Sequence, residues 1–325
     1  PVFLFMSIIV ALFVGLTVSA EEIFRDRKIL EREKFLALSR LSYLISKINF
    51  LFALSAIQTF TYIIVANTIL EVRGILLQHW LILFSTACFG NLLGLNISAG
   101  MRTAISIYIL IPLLLVPQLL LGGAMIKFDE LHKSFSKKIY VPVMGDIMTT
   151  RWAYEAISVE QFSANRFERP FFENEMKKSQ KDWYASFLIP MLRVETEECL
   201  VAGRNPEYRE QAEQNFTKLN YHINDLAEIT GIIPGSWLES LNYSKFNDII
   251  GDDAKQYLDS VKTDLRNESK KLARSNDSIV KVIESRIGKD GFLKLRQKDF
   301  NERLADHVLN RLATSKIYDT GDRLI

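Results

Sequence analysis

The sequence predicts an all-α protein: a polytopic transmembrane helical domain followed by a mostly helical extracytoplasmic domain. Three observations predict it. Four nearly uncharged apolar runs of bilayer-spanning length crowd into the first 127 residues. From Ser163 to Ile325, acidic and basic residues are dense and nearly balanced. In that polar half, apolar residues recur at spacings of three and four, the period of an amphipathic helix.

The four runs are Pro1–Ala20, Ile48–Leu70, Leu77–Ile97 and Thr103–Lys127. Soluble-core helices would not supply four such runs in so short a stretch. At this spacing only helices satisfy their own backbone groups in lipid. The chain opens on Pro1, with no basic region before the first run and no clear small-residue cleavage site after it. That argues against a signal peptide and predicts a piece of a longer protein. The fourth run holds Pro112 and Pro117, then Gly122 and Gly123. Each proline removes a helical hydrogen bond and favours a kink. Such a helix is either a bent packing element or a hinge beside a substrate path. Residues 128–162 are too polar and broken to span. Trp152, Tyr154 and Phe162 suit a headgroup region, so a re-entrant or interfacial segment is expected there.

In the polar half, 163–325, Asn205 followed by Pro206 reads as a helix start. Tyr208, Ala212, Phe216, Leu219, Ile223 and Leu226 then form one apolar stripe, and "GIIPG" (Gly231–Gly235) ends it. Further helical patterns contain Leu258, Val261 and Leu265, and then Phe300, Leu304, Val308 and Leu312. "ARSNDS" (Ala273–Ser278) reads as an exposed polar loop. The stripe is core material before it is a partner groove.

Chemistry-bearing motifs are missing from the sequence. There is no H-E-x-x-H, no paired C-x-x-C and no G-x-S-x-G. His79, His132, His222 and His307 are scattered, and no metal site is expected. Cys88 and Cys199 lie far apart in sequence and predict no disulfide framework. "GLNISAGMRT" (Gly94–Thr103) has glycine spacing one residue too long for a phosphate loop, and Met101 stands in its lysine region. A net charge of +2 gives no case for nucleic acid.

The remaining signal is "EEIFRDRKILEREKF", Glu21–Phe35, in which ten of fifteen residues are charged. Good helix formers throughout predict a helix, with Glu21–Arg25 and Arg27–Glu31 as i,i+4 pairs and charge nearly all round. It either stands in water, as a solvated loop enforcing topology, or contacts a polar protein surface. Orientation follows from positive charge in short loops. Arg25, Arg27, Lys28, Arg32, Lys34, Arg40 and Lys47 precede the second run, whereas the next two loops hold only Arg73 and Arg102. Glu21–Lys47 is therefore expected to be cytoplasmic, and parity places 163–325 outside. Lys127, Lys133, Lys137 and Lys138 argue the other way.

In "DRKILEREKFLALSRLSYLISK", Asp26–Arg27, Arg32–Glu33, Tyr43 and Lys47 follow one another, and "RWAYEA" (Arg151–Ala156) follows Gly122–Gly123. In these features the chain resembles the membrane domain of G-subfamily-type ABC exporters, from Pro1 to about Phe162. The resemblance implies that the four runs are the family's second to fifth spans. The first and last spans and the nucleotide-binding domain would lie outside this fragment. It implies a permease that moves an amphipathic or lipid-like substrate by alternating access in a dimer, in a bacterial inner membrane. ATP and Mg would bind the nucleotide-binding domain, on the same chain or a separate one, and no cofactor is expected in this part. A coupling helix at 21–45 would meet that domain through Asp26, Arg27, Arg32, Glu33, Tyr43 and Lys47. Thr17, Pro112, Pro117 and Gln118 are substrate-path candidates, and Arg151, Trp152, Tyr154 and Glu155 mark the re-entrant segment. The resemblance does not account for 163–325. The alternative is a membrane-anchored binding or sensory protein whose external helical domain recognises a partner.

Overall fold

The computed structural model describes residues 1–33, 39–72, 74–124, 141–202, 208–309 and 317–324. The described residues are all-α apart from one isolated bridge between Asp319 and Leu324. The chain divides into two compact units, 1–168 with 297–309, and 169–296 with 310–325. Residues 297–309, expected in the polar domain, thus fold with the membrane unit.

The membrane unit begins with α1 (Val2–Ser19), α2 (Glu22–Glu33), α3 (Arg40–Ile69), α4 (Leu76–Gly100) and α5 (Ala104–Leu120). The apolar helices of α1, α3 and α4 are long enough to cross a membrane, while α5 is apolar but shorter, at 17 residues. Both prolines lie within α5, and the helix stops at Leu120. Gly123 follows with φ of 76°, a left-handed conformation that glycine adopts without a Cβ clash. The end predicted at Lys127 lies outside the described residues.

α1 is the centre of this unit, and small residues let it approach α4. A Cβ on Gly90 would sit 2.7 Å from the Leu12 carbonyl oxygen, and one on Gly94 2.6 Å from that of Leu16. A Cβ on Gly15 would overlap the Ala87 carbonyl. Gly94, at the head of the rejected phosphate-loop candidate, is thus a packing residue. Polar side chains join α4 to α3: Asn91 Nδ2 donates to Ser55 Oγ at 2.8 Å, and Trp80 Nε1 to the Ala56 carbonyl at 3.1 Å.

Two short helices follow, α6 (Val143–Asp146) and α7 (Thr149–Ser163). Gln118 of α5 holds the start of α7, because its Oε1 accepts from Thr150 N at 3.2 Å and from Thr150 Oγ1 at 3.0 Å.

The polar unit contains α8 (Phe172–Trp183), a π-helical turn (Tyr184–Leu188), α9 (Ile189–Ala202), α10 (Arg209–Thr230) and α11 (Asp248–Asp299), which is kinked at Gly288 and runs on into the membrane unit; α12 (Glu302–Leu309) belongs wholly to the latter. The predicted stripe faces the core: Ala212, Phe216, Leu219, Ile223 and Leu226 are buried with Leu188, Ile189, Leu192, Leu258, Val261 and Leu265. Tyr208 is the exception and is exposed. Gly231, at φ 72°, ends α10. The Asn205–Pro206 start lies outside the described residues. Ala273–Ser278 is no loop: it lies within α11, where Asn276 Oδ1 accepts from Asn174 Nδ2 at 2.9 Å.

One buried cation crosses this core's edge. Lys218 Nζ pairs with Asp319 at 2.5 Å and Glu195 at 3.3 Å. Burial opposes the charge on Lys218, but its bonds to Asp319 and Glu195 outweigh burial and raise its pKa. For Glu195 burial wins over Lys218, and its carboxyl is pushed up. Nearby, His222 Nε2 accepts from Leu324 N at 2.9 Å.

Candidate functional site

The charged stretch forms α2, and its charge is not spread evenly. Glu22, Phe24, Asp26 and Arg27 are partly covered, while Arg25, Lys28, Ile29, Glu31 and Arg32 are exposed. The covered face has two anchors. Towards α3, Lys47 Nζ lies 2.7 Å from both Glu22 Oε2 and Asp26 Oδ2, and Tyr43 Oη donates to Asp26 Oδ2 at 3.0 Å. Lys47 also stands over the Tyr43 ring, 5.8 Å from its centroid. Towards α4, Phe24 N donates to Ser98 Oγ at 2.8 Å, and Arg27 Nη2 to the Ala99 carbonyl at 3.3 Å. The Phe24 ring packs on Leu16, Ala20, Ile97, Ile107 and Ile111.

Of the residues singled out in sequence, Asp26, Tyr43 and Lys47 come together, and Arg27 joins α2 to α4. Arg32 stands apart on the open face. The side chain of Glu33 lies outside the described residues. Arg25 pairs with Glu22 at 3.0 Å, three residues away, where sequence spacing suggested Glu21. Glu22 and Ser98 were missed. Glu22 carries a signal, since it lies one turn before Asp26 and so shares its face. Ser98 carries none, because nothing local connects it to Phe24.

At the other marked segment, Arg151 pairs with Asp146 and, at 3.5 Å, with Glu155, and its guanidinium lies 4.4 Å from the Trp152 ring centroid. Trp152 Nε1 donates to the Asp146 carbonyl at 2.8 Å, which ties α6 to α7. Tyr154 is buried, edge-on to Phe5 with centroids 5.5 Å apart and 5.6 Å from the His307 ring. Among the path candidates, Thr17 follows Met6, Val10 and Phe13, which lie open along one face of α1. Pro112 is exposed, Pro117 half-buried, and Gln118 is taken up by Thr150. Among the described residues no group of His, Cys, Asp and Glu is arranged to hold a metal.

Residues 1–162 match the ABC-2 type transporter family. This half of the chain is an ABC-2 permease domain. No curated protein and no solved structure matches the chain. The protein is an integral membrane protein, and the ABC-2 domain makes it a permease component of an ABC transporter. Such domains generally work with nucleotide-binding domains in a bilayer.

Proposed function

We propose that the chain is the membrane part of a G-subfamily-type exporter. In this reading it moves an amphipathic or lipid-like substrate by alternating access between two copies, in a bacterial inner membrane. Residues 169–296 lie outside the cytoplasm. The double anchoring of α2 carries this reading. Its covered face is held by Lys47 on α3 and Ser98 on α4, so a push on its open face reaches two spans at once. Arg25, Lys28 and Arg32 on that open face offer cations to an acidic surface on a nucleotide-binding domain, where ATP and Mg are bound. Asp26, Tyr43 and Lys47 act as the joint between α2 and α3 rather than as contacts to the partner. The open stripe of α1, Met6, Val10 and Phe13, faces the substrate or the second copy.

The test is ATPase activity and substrate flux measured together in the complete transporter. Lys28→Glu/Arg32→Glu should leave insertion and ATP binding intact while hydrolysis no longer drives flux. Normal coupling in that folded variant would refute the reading of α2.

A further inference from the structure

A cavity of about 300 Å³ lies in the membrane unit at the end of α3 and α4 remote from α2. The α3–α4 turn contributes Leu70, Glu71 and Ile75, α7 contributes Gln161, and the segment that ends α11 and opens α12 contributes the cations Lys298 and Arg303 with the carboxylates Asp299 and Glu302. Its volume is at the lower end for small-ligand sites, roughly 300–1,000 Å³, so it takes a headgroup and not a whole amphiphile.

Glu71 has φ of 54°, the left-handed position of the cap that ends α3, closed by Val72 N donating to the Asn67 carbonyl at 3.0 Å. Two other features mark the cavity as more than a surface dent. Lys298 Nζ stands 3.7 Å from Glu71 Oε2, beyond hydrogen-bond length, so the two charges face each other without closing. Gln161 Oε1 is buried with no donor. An acceptor left so is costly, and a ligand that brings an N–H group satisfies it.

We infer that this cavity binds a primary-ammonium phosphate zwitterion, the chemistry of an ethanolamine phosphate headgroup. The ammonium donates to Gln161 Oε1 and the Glu71 carboxylate. The phosphate lies between Lys298 and Arg303. Leu70 and Ile75 cover the uncharged part. A bare anion would leave Gln161 and Glu71 unmet, and a trimethylammonium has no proton to give them. The inference concerns binding alone and does not require transport, coupling or a dimer.

The test uses the full chain in nanodiscs of phosphatidylcholine, without nucleotide. Hydrogen exchange is followed over 70–76, 157–165 and 297–304. Glycerophosphoethanolamine in solution, or phosphatidylethanolamine in the disc, should slow exchange in all three stretches. The arm that succeeds tells a free zwitterion from a bilayer lipid. Inorganic phosphate and glycerophosphocholine should need about tenfold more ligand. Gln161→Leu and Lys298→Glu should each weaken binding about tenfold. Gln161→Glu, which keeps an acceptor, should not. Equal binding of phosphate or of the choline compound, unchanged binding by Gln161→Leu, loss in Gln161→Glu, or no protection in either arm overturns the inference.

Discussion

Where α1 crosses α4, the contact is made from Gly15, Ala87, Gly90 and Gly94. Where α9, α10 and α11 share a core, it is made from Leu188, Leu192, Leu219, Ile223, Leu258 and Leu265. The first set brings backbones together and the second brings large side chains together. The difference follows from the solvent. In water, burying a large apolar side chain is itself favourable, by about 1.5–3 kcal/mol each. Between helices in lipid that drive is absent, so close backbone packing and polar bonds such as Asn91–Ser55 take its place. Charge behaves in parallel. Lys218 sits almost fully covered beside Glu195, whereas Lys47 keeps about a fifth of its side chain open beside Glu22 and Asp26.

The largest break in the comparison is expected from Lys218→Ala. It leaves Glu195 buried without its cation, a change that costs about 3–5 kcal/mol when a buried pair is broken on one side. Hydrogen exchange over α10 in the full chain in detergent should rise accordingly, while Lys47→Ala should leave α10 unchanged. A Lys218→Ala chain as protected as the parent would show that the cluster adds no stability.

Size changes should act with opposite sign in the two contacts. Leu219→Ala removes a fully buried side chain and should cost about 2–5 kcal/mol. In the α1–α4 contact enlargement is the damaging change. Gly90→Leu should cost about 1–3 kcal/mol by forcing the helices apart. Thermal unfolding of each variant in detergent decides between them. If Gly90→Leu were neutral, close approach would not hold α1 to α4.

The smallest effect concerns pH. Burial holds the His222 pKa below its ordinary value, with Arg323 adding to this and Asp225 opposing it. A group depressed in the folded state favours the unfolded chain when it takes up a proton. Its stabilising contribution is therefore present above about 6.5 and lost as pH falls through the lower folded value. Protonation also removes the acceptor for Leu324 N. Acidification from pH 7 to 5 should thus loosen residues 317–324 first, and His222→Gln should flatten that dependence in exchange measurements.

Legibility in the sequence followed how local each cause is. The α10 stripe could be read because helical period alone sets which residues share a face. Lys47 stood out, and so did Tyr43 and Asp26, but their meeting joins positions 17 to 25 residues apart on two helices, which no local pattern specifies. The small residues at Gly90 and Gly94 stand at a four-residue spacing, yet their role depends on Leu12 and Leu16 of α1, nearly eighty positions earlier. Gln118 was a path candidate through the span that the family resemblance assigns to it, whereas its amide holds Thr150, a partner 32 residues on. The return of 297–309 to the membrane unit had no local sign, because Phe300 meets Phe167, and His307 meets Tyr154, across most of the polar half.

The anchors of α2 also set an order of events during synthesis. Tyr43 follows Asp26 by 17 residues and Lys47 follows Glu22 by 25, whereas Ser98 follows Phe24 by 74. At roughly 5–20 residues per second, the bond to α4 becomes possible ~4–15 s after Phe24 is made. From the making of Lys47 until then, α2 is tethered at one side only. A chain stalled after α3 would hold the Lys47 pairs without the Ser98 bond, so the Phe24 amide would exchange freely there and become protected only once α4 has been made.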